Sequence, residues 1–179
     1  RVVSRLQEVF EILTGPIAAD VHGVVAFRPD WTALPSSRIE HGFNLKRLER
    51  TSALARALGV KPDPDHLCAL FAHTMRRGWD RRDGGVFEAG RPGCRAHELV
   101  KPWWVQGEAL AASLQMWQLT GKRRYAEVFL RVVDWIATSQ VDWEHGGLFE
   151  NVDQCGRPFG RKAWSWKAPD HVPRAILGC

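Results

Sequence analysis

Three stretches of the sequence bring together aromatic, basic and titratable side chains that could bind a small molecule and transfer a proton. In "KPWWVQGEAL" (101–110), Trp104 and Glu108 stand four residues apart, so on a helix they share a face and set a stacking plate beside a carboxylate. In "SWKAPDHVPRA" (165–175), Trp166, His171 and Arg174 surround two prolines. Pro169 suits a first helical position, where its missing N–H costs nothing and its φ is already helical; that accounts for the proline but not for its three neighbours. In "RIEHGFNL" (38–45), Arg38, Glu40, His41 and Asn44 precede a helical pattern. Imidazole titrates near neutrality and serves as acid or base at working pH, and flat indole faces stack on sugar rings as well as filling cores.

Each stretch also has a structural reading. Trp103 and Trp104 can be core residues with Glu108 paired to an arginine, His171 can be a hydrogen-bonding strut, and His41 can cap or pin its loop. His22, His66, His73 and His145 read as structural or exposed, whereas His97, in "RAHELVK", leads toward the same region as Trp104. The sequence contains no H-E-x-x-H, G-x-S-x-G or phosphate-binding glycine loop. Cys68, Cys94, Cys155 and Cys179 form no C-x-x-C pair and stand at no zinc-finger spacing from a histidine. The expectation is a reduced, cytoplasmic chain with no metal and no cofactor.

Helices must position these residues. Val2, Val3, Leu6, Val9, Phe10 and Leu13 recur at helical spacing before Gly15 and Pro16. After an irregular stretch (16–43), Leu45, Leu48, Ala55 and Leu58 form a second stripe that Gly59 terminates. Asp63 and Pro64 supply an N-cap and a first-turn proline for a third helix carrying Leu67, Leu70, Phe71 and Met75. A fourth runs over 102–119 and is closed by Gly121, a fifth spans about 122–139, and a sixth starts at Pro169.

Between the helices lies a repeat: "DRRDGGVFE" (80–88) and "DWEHGGLFE" (142–150) share the pattern D-x-x-x-G-G-[V/L]-F-E at a displacement of 62 residues. The glycine pair suits positive φ in a tight turn and the Val-Phe or Leu-Phe pair reads as a short strand, which predicts hairpins over 80–98 and 142–165. A helix–helix–hairpin unit recurring at this period predicts an all-α helical toroid, an (α/α)6 barrel whose inner and outer helices alternate. The chain holds about half the helices of such a ring and reads as a single partial domain over 1–179, the C-terminal portion of a longer chain. An open half-ring bares apolar inner helices, so a missing N-terminal half or a second copy as a homodimer partner is expected to cover them.

Composition excludes other classes. With 45% hydrophobic and 25% charged residues the chain is an ordinary globular one, and no apolar run approaches the roughly 20 residues that cross a bilayer, so no membrane partner is expected. The net charge of +5 is spread among acids, and its densest group, "RRGWDRR", contains Asp80. A nucleic-acid partner needs a continuous basic stripe, and none is present.

The run "DGGVFE…KPWWVQGEAL…LTGKRRYAEVF…DWEHGGLFE…WSWKAPDHVPRAIL" resembles the C-terminal half of the N-acylglucosamine 2-epimerase family, which includes cellobiose 2-epimerases and mannose isomerases. The resemblance covers residues 75 to 179 well and 38 to 58 more loosely, and K-x-W-W-x-Q-x-E and W-K-x-P-x-H-x-x-R-A are its most specific parts. It implies an (α/α)6 barrel that, without metal or nucleotide, moves the C2 proton of an open-chain aldose through an enediol. It also implies that His171 is one catalytic acid/base and His41 the counterpart of the other. This chain departs from the family's G-H-x-x-E segment: Gly42 follows the histidine, and Asn44 takes the carboxylate position. Trp104, Trp166 and Glu108 are expected to hold the sugar, with Arg38 or Arg174 on the enediolate oxygen. A glycoside hydrolase pairing Glu108 with Glu88 or Glu150, and a non-catalytic sugar-binding or regulatory protein, stay open as alternatives.

Overall fold

The helix signals act where they are read. In the computed structural model, which describes residues 1–18, 26–32, 34, 38–167 and 171–173, five α-helices form: α1 (Val2–Thr14), α2 (His41–Leu58), α3 (Pro64–Gly78), α4 (Trp103–Thr120) and α5 (Arg123–Trp135). Asp63 caps α3 by accepting from the Asp65 N–H at 2.9 Å. Gly59 and Gly121 close α2 and α4 in the left-handed conformation, φ 67° and 66°, which a side chain would disfavour. The expected helix start at Pro169 lies outside the described residues, although 171–173 are helical.

Two boundaries differ from the sequence reading. Helix α2 begins at His41, four residues earlier than its apolar stripe, with Glu40 extended before it and no side-chain cap. Without a capping side chain, nothing local announces that start. The expected fifth helix divides into α5 and a π-helical turn, Ile136–Gln140.

Strands β1 (Ile39–Glu40), β2 (Ala89–Gly90), β3 (Ala96–Glu98), β4 (Lys101–Pro102), β5 (Asn151–Val152) and β6 (Pro158–Phe159) make two antiparallel three-stranded sheets, β1-β2-β3 and β4-β5-β6. The hairpins are thus present, but their strands lie just past the expected Val-Phe and Leu-Phe pairs; Val86 and Leu148 make only isolated bridges, to Trp79 and Val141. The strand before each long helix pairs with the hairpin that follows the next helix, Ile39 opposite Gly90 and Lys101 opposite Val152. Each sheet therefore ties the start of a long helix to the loop after its neighbour. The second sheet and α4 repeat the first sheet and α2 at the 62-residue displacement seen in the sequence.

Helices α2 and α4 pack against each other as the inner layer. Twelve of the eighteen residues of α4 are buried, from nearly every side of the helix, as an inner position demands, whereas α5 buries Tyr125, Val132 and Trp135 and turns its polar side out. This alternation is the helical-toroid architecture expected. Buried polar groups lock the hairpins onto it: Gln106 exchanges two hydrogen bonds with the backbone of Val86, at 2.8 and 2.7 Å. The fully buried Lys101 ammonium lies 2.7 Å from the Asp80 carboxylate and faces the rings of Phe87 and Trp135. Helix α1 buries none of its residues and leaves Val2, Val3 and Val9 exposed. Among the described residues no helix is long and apolar enough to cross a membrane.

Candidate active site

A cavity of about 630 Å³ opens where the two hairpins meet the start of α4. Phe43, Trp103, Trp104, Phe159, Trp164 and Trp166 give it aromatic walls, and Lys46, Glu88, Glu150 and His171 supply charged or titratable groups. Apolar walls with few polar groups suit a small ligand that presents both ring faces and hydroxyls.

His171 is the best-positioned proton-transfer group in it. Its Nδ1 lies 2.6 Å from Glu108 Oε1; the carboxylate is fully buried behind the ring, and the imidazole keeps 16% of its surface exposed. A carboxylate on Nδ1 sets the ring's orientation and favours a proton on that nitrogen, leaving Nε2 to exchange a proton with a ligand. Trp103 stands edge-on to the imidazole at 6.2 Å between centroids, and Trp104 is tilted against it at 5.9 Å. The close approach depends on Gly107: a Cβ there would sit 2.9 Å from the His171 backbone carbon, so any side chain would push the histidine off α4.

The other expected residues divide. Trp104 and Trp166 line the cavity, the latter 77% exposed at its edge. Glu108 reaches the cavity only through His171. Arg38 does not line the cavity; its guanidinium holds Glu98 at 2.6 and 2.8 Å, Glu40, and Glu88 at 3.6 Å. His41 and Asn44 are buried in the first turn of α2 and are absent from the lining. The His41 ring packs on Gly78, its Nε2 has no hydrogen-bond partner among the described residues, and neither has Asn44 Nδ2. Burial, aided by His73 and His97, holds the His41 pKa down at about 4 from an ordinary 6.5. Arg174 lies outside the described residues.

Lys46 and Phe43 were not among the expected residues, and Glu88 and Glu150 were expected only under the hydrolytic alternative. The repeat carried a signal for two of them: Glu88 and Glu150 are the final residues of the two D-x-x-x-G-G-[V/L]-F-E copies. Burial raises the Glu88 carboxyl above its ordinary range, and Arg38 opposes the shift. Glu150 accepts from the Trp164 indole N–H and the Arg161 backbone N–H, both at 2.8 Å. Among the described residues no three His, Cys, Asp or Glu side chains are grouped to hold a metal ion.

Residues 5–172 match the sequence pattern of a family described as N-acylglucosamine 2-epimerase (GlcNAc 2-epimerase). A D-mannose isomerase from Pseudomonas cannabina pv. alisalensis is 30% identical over 148 residues, 76% of this chain and 34% of the isomerase. A cellobiose 2-epimerase from Eubacterium cellulosolvens is 30% identical over 80 residues, 42% of this chain and 19% of that protein. The structure of a cellobiose 2-epimerase from Spirochaeta thermophila superimposes with a TM-score of 0.87 at 26% identity, over 99% of this chain and 45% of its own. The chain thus spans less than half the length of these relatives.

Proposed function

The chain belongs to the N-acylglucosamine 2-epimerase family, and from that premise we propose that it serves a sugar epimerase or isomerase that moves the C2 proton of an open-chain aldose through an enediol(ate). The observation that carries this reading is the Glu108–His171 pair on the wall of an aromatic cavity. His171 takes the C2 proton on Nε2, Glu108 stabilises the resulting imidazolium, and Trp104 and Trp166 hold the sugar. Arg174, three residues after His171 in the sequence, is the proposed partner of the enediolate oxygen, since Arg38 is engaged by three glutamates.

Epimerisation returns the proton to the opposite face of C2 and needs a second acid. His41 is the group proposed for that role, and it serves only if it becomes uncovered, because it lies in the core with a depressed pKa. Transfer of the carbon-bound proton from C2 to C1 on one face of a cis-enediol needs a single base, His171, while O2 gives up its hydroxyl proton and O1 gains one by exchange between the two oxygens or with solvent. The geometry therefore favours aldose–ketose isomerisation over 2-epimerisation. A hydrolytic reading rests on Glu88 and Glu150 at the same cavity, but both carboxylates are already engaged.

The test is a panel of aldoses incubated in deuterated buffer and followed by NMR. The expected result is a ketose product and deuterium at the migrating position, both lost in His171→Ala. A product epimeric at C2 assigns the second face to His41 or another group. A new reducing end, or activity that survives in His171→Ala, overturns the proposal.

A further inference from the structure

The arginine-rich run 76–82 shapes a second hollow, of about 300 Å³, whose lining shares no residue with the aromatic cavity. Arg76 and Arg77 come from the last turn of α3, Arg81 and Arg82 from the turn after it, and Arg95 from the returning arm of the same hairpin. Trp79, Phe87 and Leu99 form its apolar wall. In the sequence Asp80 looks like the acid that neutralises this run; in the fold it too lines the hollow, but its carboxylate is held by the buried Lys101 at 2.7 Å and accepts from the Arg82 backbone N–H at 2.9 Å. Arg82 keeps Asp83 at 3.6 Å. Among the described residues Arg76, Arg77, Arg81 and Arg95 have no carboxylate partner, and the Arg77 Nε–H is buried without an acceptor.

The C-terminal dipole of α3 favours Arg76 and Arg77 where they stand, but it does not account for arginines from three separate segments facing one concavity. Like charges so gathered repel, and a buried guanidinium N–H without an acceptor is costly. An anion relieves both. Guanidinium forks match the oxygens of a phosphoryl group in paired hydrogen bonds, and the hollow lies at the small end of ligand-pocket volumes, about 300 Å³.

We propose that this hollow binds a phosphoryl group, with Arg77 and Arg95 as its principal ligands. The group is carried either by free inorganic phosphate or by a phosphorylated sugar whose carbon skeleton lies against Trp79 and Phe87. The site lies back to back with the aromatic cavity, since Phe87 and Leu99 face the hollow while their neighbours Glu88 and Val100 face the cavity.

The test is calorimetric titration at low ionic strength with inorganic phosphate, glucose 6-phosphate and unphosphorylated glucose, with no activity readout, so that its outcome is independent of the catalytic proposal. Saturable one-site binding of both phosphates is expected. Tighter binding of the sugar phosphate identifies the ester as the ligand, and equal binding identifies the free ion. Arg77→Ala and Arg95→Ala should each weaken binding by about tenfold or more, and Arg157→Ala, an arginine already paired with Asp153 on the other hairpin, should leave it unchanged. Arg95 is exposed, so its variant keeps the test decisive if Arg77→Ala fails to fold. A shift of the Arg77 Nε–H NMR signal on adding phosphate should accompany binding. Absence of binding by either phosphate, undiminished binding in the Arg77→Ala/Arg95→Ala double variant, or binding of heparin that neither phosphate displaces would each overturn the proposal.

Discussion

Lowering the pH should destabilise the protein through one identifiable group. His41 is 3% exposed, and burial sets its pKa at about 4 against the 6.5 of an unfolded chain. Above about pH 6.5 the imidazole is neutral in both states, and the stability is fully present; as the pH falls toward 4 the unfolded chain takes up a proton that the folded one refuses, and stability is lost. At about 1.4 kcal/mol per unit, the full shift is worth about 3 kcal/mol, of which about 2 kcal/mol is gone by about pH 5. That is a large share of the roughly 5–15 kcal/mol by which a domain is stable. Urea unfolding at about pH 7 and about pH 5, on the wild type and on His41→Gln, isolates the effect, because the other titrating groups are common to both proteins. The variant should be less sensitive to acid by about 2 kcal/mol. Equal sensitivity would refute the reasoning: it would mean that His41 titrates in the folded protein as in water, and is open enough to act as the second acid of an epimerase.

Two further outcomes follow from the site. Glu108→Gln keeps an oxygen for the His171 Nδ1–H but removes the charge, so about 1–2 kcal/mol of transition-state stabilisation should be lost and exchange at C2 should slow about 5–30-fold with KM little changed; a wild-type exchange rate measured by deuterium wash-in would refute the role given to Glu108. Gly42→Ala puts a methyl 2.2 Å from the Trp104 ring, where ordinary contact begins at 3.4 Å, so the ring must move by about 1 Å or more at a cost of about 1–3 kcal/mol. Chemical denaturation should register that cost and KM for the sugar should rise, whereas an unchanged KM would show that Trp104 does not hold the ligand.

Where a signal was local, the sequence alone carried it. Asp63 and Pro64 start α3, Gly59 and Gly121 stop α2 and α4, and the duplicated D-x-x-x-G-G turn implies the helix–helix–hairpin unit and the toroid built from it, because capping and chain reversal depend on residues within a few positions of one another. Trp104, Trp166 and His171, singled out by type and spacing, do line one cavity. Contacts between distant segments were not legible. The two-residue strands β1 and β4 pair across about fifty residues, Ile39 with Gly90 and Lys101 with Val152, and have too little pattern of their own to be read. Glu108 could be seen to share a helix face with Trp104, but its carboxylate meets a histidine 63 residues away only because inner helix α4 passes beneath 171–173. Burial is decided the same way: His41 reads as a loop histidine next to other polar residues, and the packing of α2 on α4 and Gly78 makes it a core one. Asp80 reads as the acid that neutralises a basic run until Lys101, in the strand before α4, pairs with its carboxylate within a hollow that the arginines line.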